Sequence, residues 1–286
     1  MVQGRCLCGD VRWEVRGPFA QMTHCHCSMC RKSHGAPFAT YAAAPAEGFG
    51  WVQGEDRIVR YESSPGFDRP FCGRCGSVVA GDPHTDGTIF MPVGNLENDP
   101  GARPEAHIFA ASKAPWFEIE DALRCFDVYP PGVGGEIQRE VVGAPQPGRA
   151  RGSCLCGRIA YEIETGPHPI VLCHCSRCRR GRSAAHCSNL FLASEKFDWV
   201  RGEDEIEVYK VPEAERFTNR FCRTCGSISP RRDTQVGRSM VPAGGLDDDP
   251  EARPTMHIFA ADKAPWYDIP GALSQYTAGP RAEGTR

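Results

Sequence analysis

The segment Cys25-His26-Cys27-Ser28-Met29-Cys30 places three thiols within six residues, and it returns as Cys173-His174-Cys175-Ser176-Arg177-Cys178. Disulfides between sulfurs so close in sequence would strain the loops that join them, whereas one metal ion can draw all three thiolates inward. A zinc ion with three protein ligands keeps a fourth position for water or substrate, as catalytic zinc sites do. We therefore expect a reactive metal site at each segment.

The whole sequence is duplicated around these segments. The run Gly4-Arg5-Cys6-Leu7-Cys8-Gly9 returns as Gly152-Ser153-Cys154-Leu155-Cys156-Gly157, and His107 to Trp116 returns almost unchanged as His257 to Trp266. A repeat this long indicates duplicated domains, because solenoid units span about 20–50 residues. We expect a short strand over 136–142 and a disordered tail from residue 278. The predicted organisation is a first zinc domain over 1–127, a Pro/Gly-rich linker over 128–149, a second zinc domain over 150–276 and a tail over 277–286.

Hydrophobic residues alternate with polar ones over short stretches. Residues 11–15 alternate Val, Trp and Val with Arg and Glu, and residues 159–163 repeat this period. Such alternation is typical of half-buried strands. Helical patterns are sparse, with one turn after Cys27 and a short helix near 120–123. The sequence predicts two mainly β domains of short antiparallel strands, with further strands at 36–43, 57–61, 77–80, 88–93 and 106–110.

Composition limits the partners and the compartment. The 286 residues carry a net charge of −3, so we expect no nucleic-acid partner. No apolar run approaches the roughly 20 residues of a membrane span, and only Met1 to Arg5 precede the first cysteine, too few for a signal peptide. We therefore expect a cytoplasmic protein that does not enter a membrane. In a reducing compartment, sixteen cysteines indicate metal ligands or reactive thiols rather than disulfides, which would need an export signal.

A second kind of metal site is predicted from a C-x-C turn and a C-x-x-C turn in each copy. Each turn ends in a glycine and has the form of a zinc knuckle, in which backbone amides point toward the bound sulfurs. Two knuckles together supply the four thiolates of a closed structural zinc. An alternative, in which the three-thiol segment takes one knuckle cysteine as its fourth ligand, stays open. The knuckle cysteines are Cys6, Cys8, Cys72 and Cys75 in the first copy, and Cys154, Cys156, Cys222 and Cys225 in the second.

The remaining cysteines, histidines and tryptophans are assigned simpler roles. Cys125 and Cys187 have no counterpart in the other copy and are expected to be ordinary buried or half-exposed thiols. His26 and His174 each lie between two ligands, so we expect their side chains to point away from the metal. The pairs His107/His257 and Trp116/Trp266, which recur in both copies, are expected to be structural.

Four motifs carry a resemblance to a known family. G-x-C-x-C-G, C-H-C-x-x-C-R-[KR], F-C-x-x-C-G-S and H-I-F-x-x-x-K-A-P-W follow one another in both copies. On these motifs the chain resembles the glutathione-dependent formaldehyde-activating enzymes, a family that includes the centromere protein V domain. The resemblance covers nearly all of both copies. It implies two β-tent domains with up to four zinc ions, structural at the knuckle cysteines and catalytic at Cys25, Cys27, Cys30, Cys173, Cys175 and Cys178.

The resemblance also implies an activity. A carbon–sulfur lyase of this family joins glutathione to formaldehyde as S-hydroxymethylglutathione, so the implied partners are small molecules. Most members are single domains, and the two halves of this chain would then mimic a homodimer. Arg31 and Lys32, like Arg179 and Arg180, follow the last ligand and could hold the carboxylates of glutathione, although a solvated cationic turn explains them equally well.

Other functions remain open from the sequence. Thiols add to formaldehyde readily without a catalyst, so a non-catalytic glutathione or aldehyde carrier is one alternative. A zinc-scaffolded binding module is another, and the cysteine count alone would also fit a thiol redox or metal-buffering protein. The second copy has Arg179-Arg180-Gly181-Arg182 where the first has Arg31-Lys32-Ser33-His34, so we expect the substrate pockets, rather than the metal ligands, to differ between the copies.

Overall fold

A computed structural model describes residues 1–131 and 146–279. The predicted strand over 136–142 lies outside this range, as does the predicted tail beyond residue 279. Across the described residues, no helix has the length and apolar character needed to cross a membrane.

Short strands are the main regular structure of both halves, with one α-helix in each half over the residues that the structure describes. The first half contains β1 (Val2–Arg5), β2 (Arg12–Val15), β3 (Ala20–Cys25), α1 (Ser28–His34), β4 (Ala39–Pro45), β5 (Phe49–Gln53), β6 (Ile58–Ser64), β7 (Phe67–Cys72), β8 (Thr88–Pro92), β9 (Ala106–Ile108) and β10 (Arg124–Cys125). The second half contains β11 (Arg149–Ser153), β12 (Ala160–Glu164), β13 (Ile170–Cys173), α2 (Ser176–Arg182), β14 (Cys187–Ala193), β15 (Phe197–Arg201), β16 (Ile206–Lys210), β17 (Thr218–Cys222), β18 (Arg231–Asp233), β19 (Arg238–Pro242) and β20 (Pro254–Ile258).

Each half builds the same kinds of sheet from these strands. A three-stranded sheet has the order β1-β2-β5 in the first half and β11-β12-β15 in the second. A five-stranded sheet has the order β10-β9-β3-β4-β8 or β18-β19-β14-β13-β20, and a separate hairpin pairs β6 with β7 or β16 with β17. Most pairings are antiparallel, whereas β9 and β20 lie parallel to β3 and β13. The predicted mainly β fold of short antiparallel strands in two repeated halves is confirmed.

Two predicted elements are wrong. Residues 77–80 form no strand, because they fold back from a metal knuckle and meet β7 only at an isolated bridge between Val78 and Phe71. Residues 120–123 form no helix. There the Asp121 carboxylate accepts a hydrogen bond from the amide of Leu123, and this local side-chain bond favours a turn.

One hydrophobic core is shared by both halves. Its fully buried members include Met22, Ile89 and Trp116 from the first half, with Ile163 and Leu190 from the second. One face of each alternating strand turns inward. Val15, Tyr161 and Ile163 of these strands belong to this core. Val11, Trp13 and Ile159 are instead buried beside the knuckle cysteines. Trp116 and Trp266 both belong to it, as expected for structural tryptophans. The domain boundaries proposed from the sequence stay predictions.

Polar contacts also join the halves through the two helices. On α1, the Lys32 ammonium lies 2.7 Å from an Asp247 carboxylate oxygen and donates to the Ser153 hydroxyl at 2.7 Å. At the end of α2, the Ser183 hydroxyl donates to the Val78 carbonyl oxygen at 2.9 Å. Each helix is thus held by the half to which it does not belong.

Candidate metal centres

Four knuckle sulfurs come together in each half. The sulfurs of Cys6, Cys8, Cys72 and Cys75 lie within 4.8 Å of one another, and so do those of Cys154, Cys156, Cys222 and Cys225. In the first half, one pair follows β1 and the other begins at the end of β7. The two knuckles of each half therefore meet, as the pairing from the sequence predicts.

The backbone of each knuckle suits bound thiolates. Gly76 has a φ of 74°, in the left-handed region, and its amide donates to the Cys72 carbonyl oxygen at 2.8 Å. The Val11 amide donates to the Cys6 sulfur at 3.4 Å, and the Ile159 amide to the Cys154 sulfur at 3.2 Å. Four thiolates with amide donors fit a tetrahedral structural zinc. These residues could hold such an ion without further ligands.

Three further sulfurs form a separate group in each half. The sulfurs of Cys25, Cys27 and Cys30 lie within 4.8 Å of one another, and so do those of Cys173, Cys175 and Cys178. We call these groups the first and the second triad. None of the knuckle cysteines belongs to a triad, so the alternative pairing left open by the sequence is not the one observed.

Helix formation brings each triad together. Cys25 ends β3, and Cys27 caps the start of α1, where its sulfur accepts a hydrogen bond from the Cys30 amide at 3.4 Å. Cys175 caps α2 in the same way through the Cys178 amide, also at 3.4 Å. The first turn of each helix thus turns the third sulfur back toward the other two. This donor set fits a zinc ion with one position left for a further ligand.

A buried cation lies beside the first triad. The Arg69 guanidinium donates to the Cys30 sulfur at 3.6 Å. Hydrogen bonds from the thiols of Cys25 and Cys27, together with the Arg69 charge, hold the pKa of Cys30 well below its ordinary value. Burial lowers the pKa of Arg69, but the neighbouring Cys30 thiolate raises it more, so this side chain stays a cation.

A neutral histidine and a tyrosine complete the surroundings of the first triad. His34 Nδ1 lies 2.7 Å from the Arg182 carbonyl oxygen, which can only accept, so Nδ1 carries the proton. His34 Nε2 then accepts from the Tyr41 hydroxyl at 3.0 Å. Burial lowers the pKa of His34 to about 4, which keeps the imidazole neutral.

The histidines between the ligands face away from both triads. His26 Nε2 lies 2.8 Å from His107 Nδ1, and His107 Nε2 lies 3.0 Å from an Asp121 carboxylate oxygen. His174 makes the matching 2.9 Å contact with His257. Burial lowers the pKa of His26 to about 3 and that of His174 to about 2. These positions agree with the expected supporting role of His26 and His174.

The predicted glutathione-binding cations pack within the protein. Arg31 donates to the His26 carbonyl oxygen at 3.3 Å and to the Leu246 carbonyl oxygen at 3.4 Å, and Lys32 makes the ion pair with Asp247 described above. In the second half, Arg180 lies 3.5 Å from a Glu97 carboxylate oxygen, and burial lowers the pKa of Arg179. The contact of these four residues with glutathione stays a prediction.

Sequence reasoning missed two residues at the triads. Arg69 lies on β7, and its place in the repeat is taken by Asn219, so duplication gave no signal for it. Cys187 lies next to the second triad, although it was expected to be an ordinary thiol. Pairing β13 with β14 would have found it, because Cys187 is the direct partner of Cys173. Cys125 is exposed on β10, away from these groups.

A duplicated β fold with a four-thiol group and a three-thiol group in each half defines a protein of two fused repeats, each with two groups of cysteines that could hold a metal ion. The sequence profile of the family described as glutathione-dependent formaldehyde-activating enzyme matches residues 1–112 and 149–262. The chain belongs to this family.

Three relatives are each about as long as one repeat. A Halomonas elongata protein, provisionally named glutathione-dependent formaldehyde-activating enzyme, is 32% identical over an alignment of 142 residues that covers 46% of this chain and 89% of that protein. A Schizosaccharomyces pombe protein, named as an uncharacterised lyase, is 22% identical over an alignment of 134 residues that covers 43% of this chain and 94% of that protein. A Rhodobacter sphaeroides protein of known crystal structure is 26% identical with a TM-score of 0.27, covering 35% of this chain and 89% of that one.

Proposed function

We propose that this chain is a zinc-dependent enzyme of the carbon–sulfur lyase type that joins glutathione and formaldehyde as S-hydroxymethylglutathione, or makes a related adduct of a small aldehyde and a thiol. The observation that carries the proposal is the first triad, in which three thiols converge beside the buried cation Arg69. Membership of the family and the name of the Halomonas relative support the reaction class.

The protein's own groups would favour a sulfur anion at this site. When bound by Cys25, Cys27 and Cys30, zinc supplies a positive centre that lowers the pKa of a guest thiol. Arg69 offsets part of the negative charge of the three thiolates, so a fourth anionic sulfur is repelled less. The guest sulfur forms a bond to the carbonyl carbon, the C=O pair moves to oxygen, and that oxygen takes up the proton that the thiol has lost.

The halves would act as two fused chains of a dimer do. Each of the helices α1 and α2 starts at a triad and is held by the opposite half, through contacts such as Lys32 with Asp247 and Ser183 with Val78. This reciprocity supports the proposal that the tandem chain mimics a homodimer. The cytoplasmic location, and the expectation of no nucleic-acid partner, stay predictions from the sequence.

Exchange NMR on an equilibrium mixture of glutathione and formaldehyde tests the activity. Zinc-loaded protein should speed interconversion with S-hydroxymethylglutathione above the spontaneous rate, and Cys27→Ser should remove the acceleration. The Cys175→Ser variant measures how much of the acceleration depends on the second triad. Binding of glutathione without acceleration would favour the carrier alternative, and an unchanged rate without binding would exclude both.

A further inference from the structure

The two triads differ by one thiol at the same position of the same sheet. In the second half, β13 and β14 pair so that Cys173 lies directly opposite Cys187. In the first half, β3 and β4 pair so that Cys25 lies opposite Ala39. Side chains directly opposite on antiparallel strands have Cβ atoms about 4.5–5.5 Å apart, so they reach the same ligand.

The Cys187 side chain turns toward the second triad. It is completely buried, and the side-chain amide Nδ2 of Asn189 donates to its sulfur at 3.3 Å. The thiols of Cys173 and Cys178 are the neighbours of this sulfur within the second triad. The sulfur of Cys187 is outside the group whose members all lie within 4.8 Å of one another. Because zinc bonds of about 2.3 Å place sulfurs about 3.8 Å apart, joint coordination requires the Cys187 sulfur to move inward.

The charges around the second triad also differ from those around the first. Asn219 takes the place of Arg69 and donates to the carbonyl oxygens of Cys75 at 2.7 Å and Gly181 at 3.3 Å, away from the triad. A buried cation is instead supplied by Arg182 of α2, whose guanidinium contacts Cys187. This cation offsets part of the negative charge that a further thiolate would add.

We propose that Cys187 is the fourth ligand of the second triad, so that this half holds a closed four-thiolate metal site and only the first half keeps an open position. The closed site would be structural, because a tetrahedral ion with four protein sulfurs has no position for water or for a guest thiol. The statement that one open centre serves the whole chain rests on the proposed function, whereas the ligand assignment does not.

Cadmium-113 NMR of the full chain, loaded with four cadmium ions in thiol-free buffer, tests the assignment. Cadmium replaces zinc at thiolate sites, and its resonance moves downfield with each additional sulfur ligand. We expect three resonances of the four-sulfur type and one of the three-sulfur type. Cys187→Ala, which copies the residue of the first half, should convert one four-sulfur resonance to the three-sulfur type. Cys125→Ser, at an exposed thiol, should change nothing.

The reciprocal variant Ala39→Cys keeps the test decisive if Cys187→Ala fails to fold. It should convert the single three-sulfur resonance to the four-sulfur type. Two three-sulfur resonances in the wild type would overturn the proposal, and so would a Cys173–Cys187 disulfide found by mass spectrometry of the loaded protein. Added glutathione should shift one resonance only. If it shifts none, the proposed function fails while the fourth ligand stands, and if it shifts two, the closed site is refuted.

Discussion

The ring of Phe71 packs against the ring of Phe221 with centroids 6.2 Å apart, and each ring lies against a knuckle glycine of the opposite half. A Cβ atom placed on Gly76 would lie 2.4 Å from Phe221, and one placed on Gly226 would lie 2.6 Å from Phe71. The knuckle group of each half therefore packs against a side chain of the other half.

Gly76→Ala should destabilise the metal-loaded protein by about 2–5 kcal/mol, because the new methyl group meets Phe221 in a well-packed core and the residue keeps a left-handed backbone. Gly87→Ala is the matched control, since Gly87 has a φ of 78° but nothing within 4 Å of the added Cβ. That variant should lose only about 1–2 kcal/mol. Denaturant unfolding followed by circular dichroism measures both, and equal losses would show that the contact with Phe221 has no cost.

Lys32→Met should lower the free energy of unfolding by about 1.5–3 kcal/mol, because it leaves the mostly buried Asp247 carboxylate with the Ser153 hydroxyl but without its cation. Arg103→Met breaks an exposed ion pair with Asp99 and should cost less than about 1 kcal/mol. Kinetics separate this structural role from the predicted glutathione contact. A KM for glutathione that rises in Lys32→Met with little loss of stability would mean that Lys32 binds substrate rather than the second half.

Arg69→Met should reduce kcat/KM for the aldehyde reaction roughly tenfold to hundredfold, since a charge-assisted hydrogen bond contributes about 1.5–3 kcal/mol. Arg69→Lys should retain part of the activity because the charge remains. Asn219→Ala alters the equivalent position of the second half, which makes no contact of this kind. If the Arg69→Met and Asn219→Ala variants lose the same activity, the cation has no special role at the first triad.

His26 should stay neutral throughout the physiological pH range, because burial lowers its pKa to about 3 from an ordinary value near 6.5. Below pH 6.5 the unfolded chain binds a proton at this histidine and the folded chain does not. Above pH 6.5 the histidine therefore does not reduce the free energy of unfolding. As the pH falls from 6.5 toward 3, the free energy of unfolding decreases by at most about 1.4 kcal/mol per pH unit. Imidazole nitrogen-15 shifts measured from pH 8 to 5 should not move for His26 in the folded protein. A titration midpoint near 6.5 would contradict its burial in neutral form.

The metal groups were predictable because their ligands are close in sequence. C-x-C and C-x-x-C spacings fix each knuckle locally, and each copy contains one knuckle of each kind, which favours their pairing over the alternative left open. Cys187 could not be assigned in this way, since its nearness to Cys173 depends on the register between β13 and β14. The partner of the Lys32 side chain, Asp247, could not be predicted either. The packing of one half against the other leaves no periodic pattern in the sequence of either half. The segment 77–80 has strand composition, but its place after a knuckle overrides that preference.

The presence of two repeats in one chain has an evolutionary consequence. In an assembly of two identical chains, every substitution occurs twice, so a change that abolishes chemistry silences both centres at once. Fusion of the repeats into one chain removes that constraint, because equivalent positions are encoded separately. Ala39 lies opposite Cys25, and Cys187 occupies the equivalent position opposite Cys173. One copy can then gain or lose a thiol beside its triad while the other copy keeps its own set.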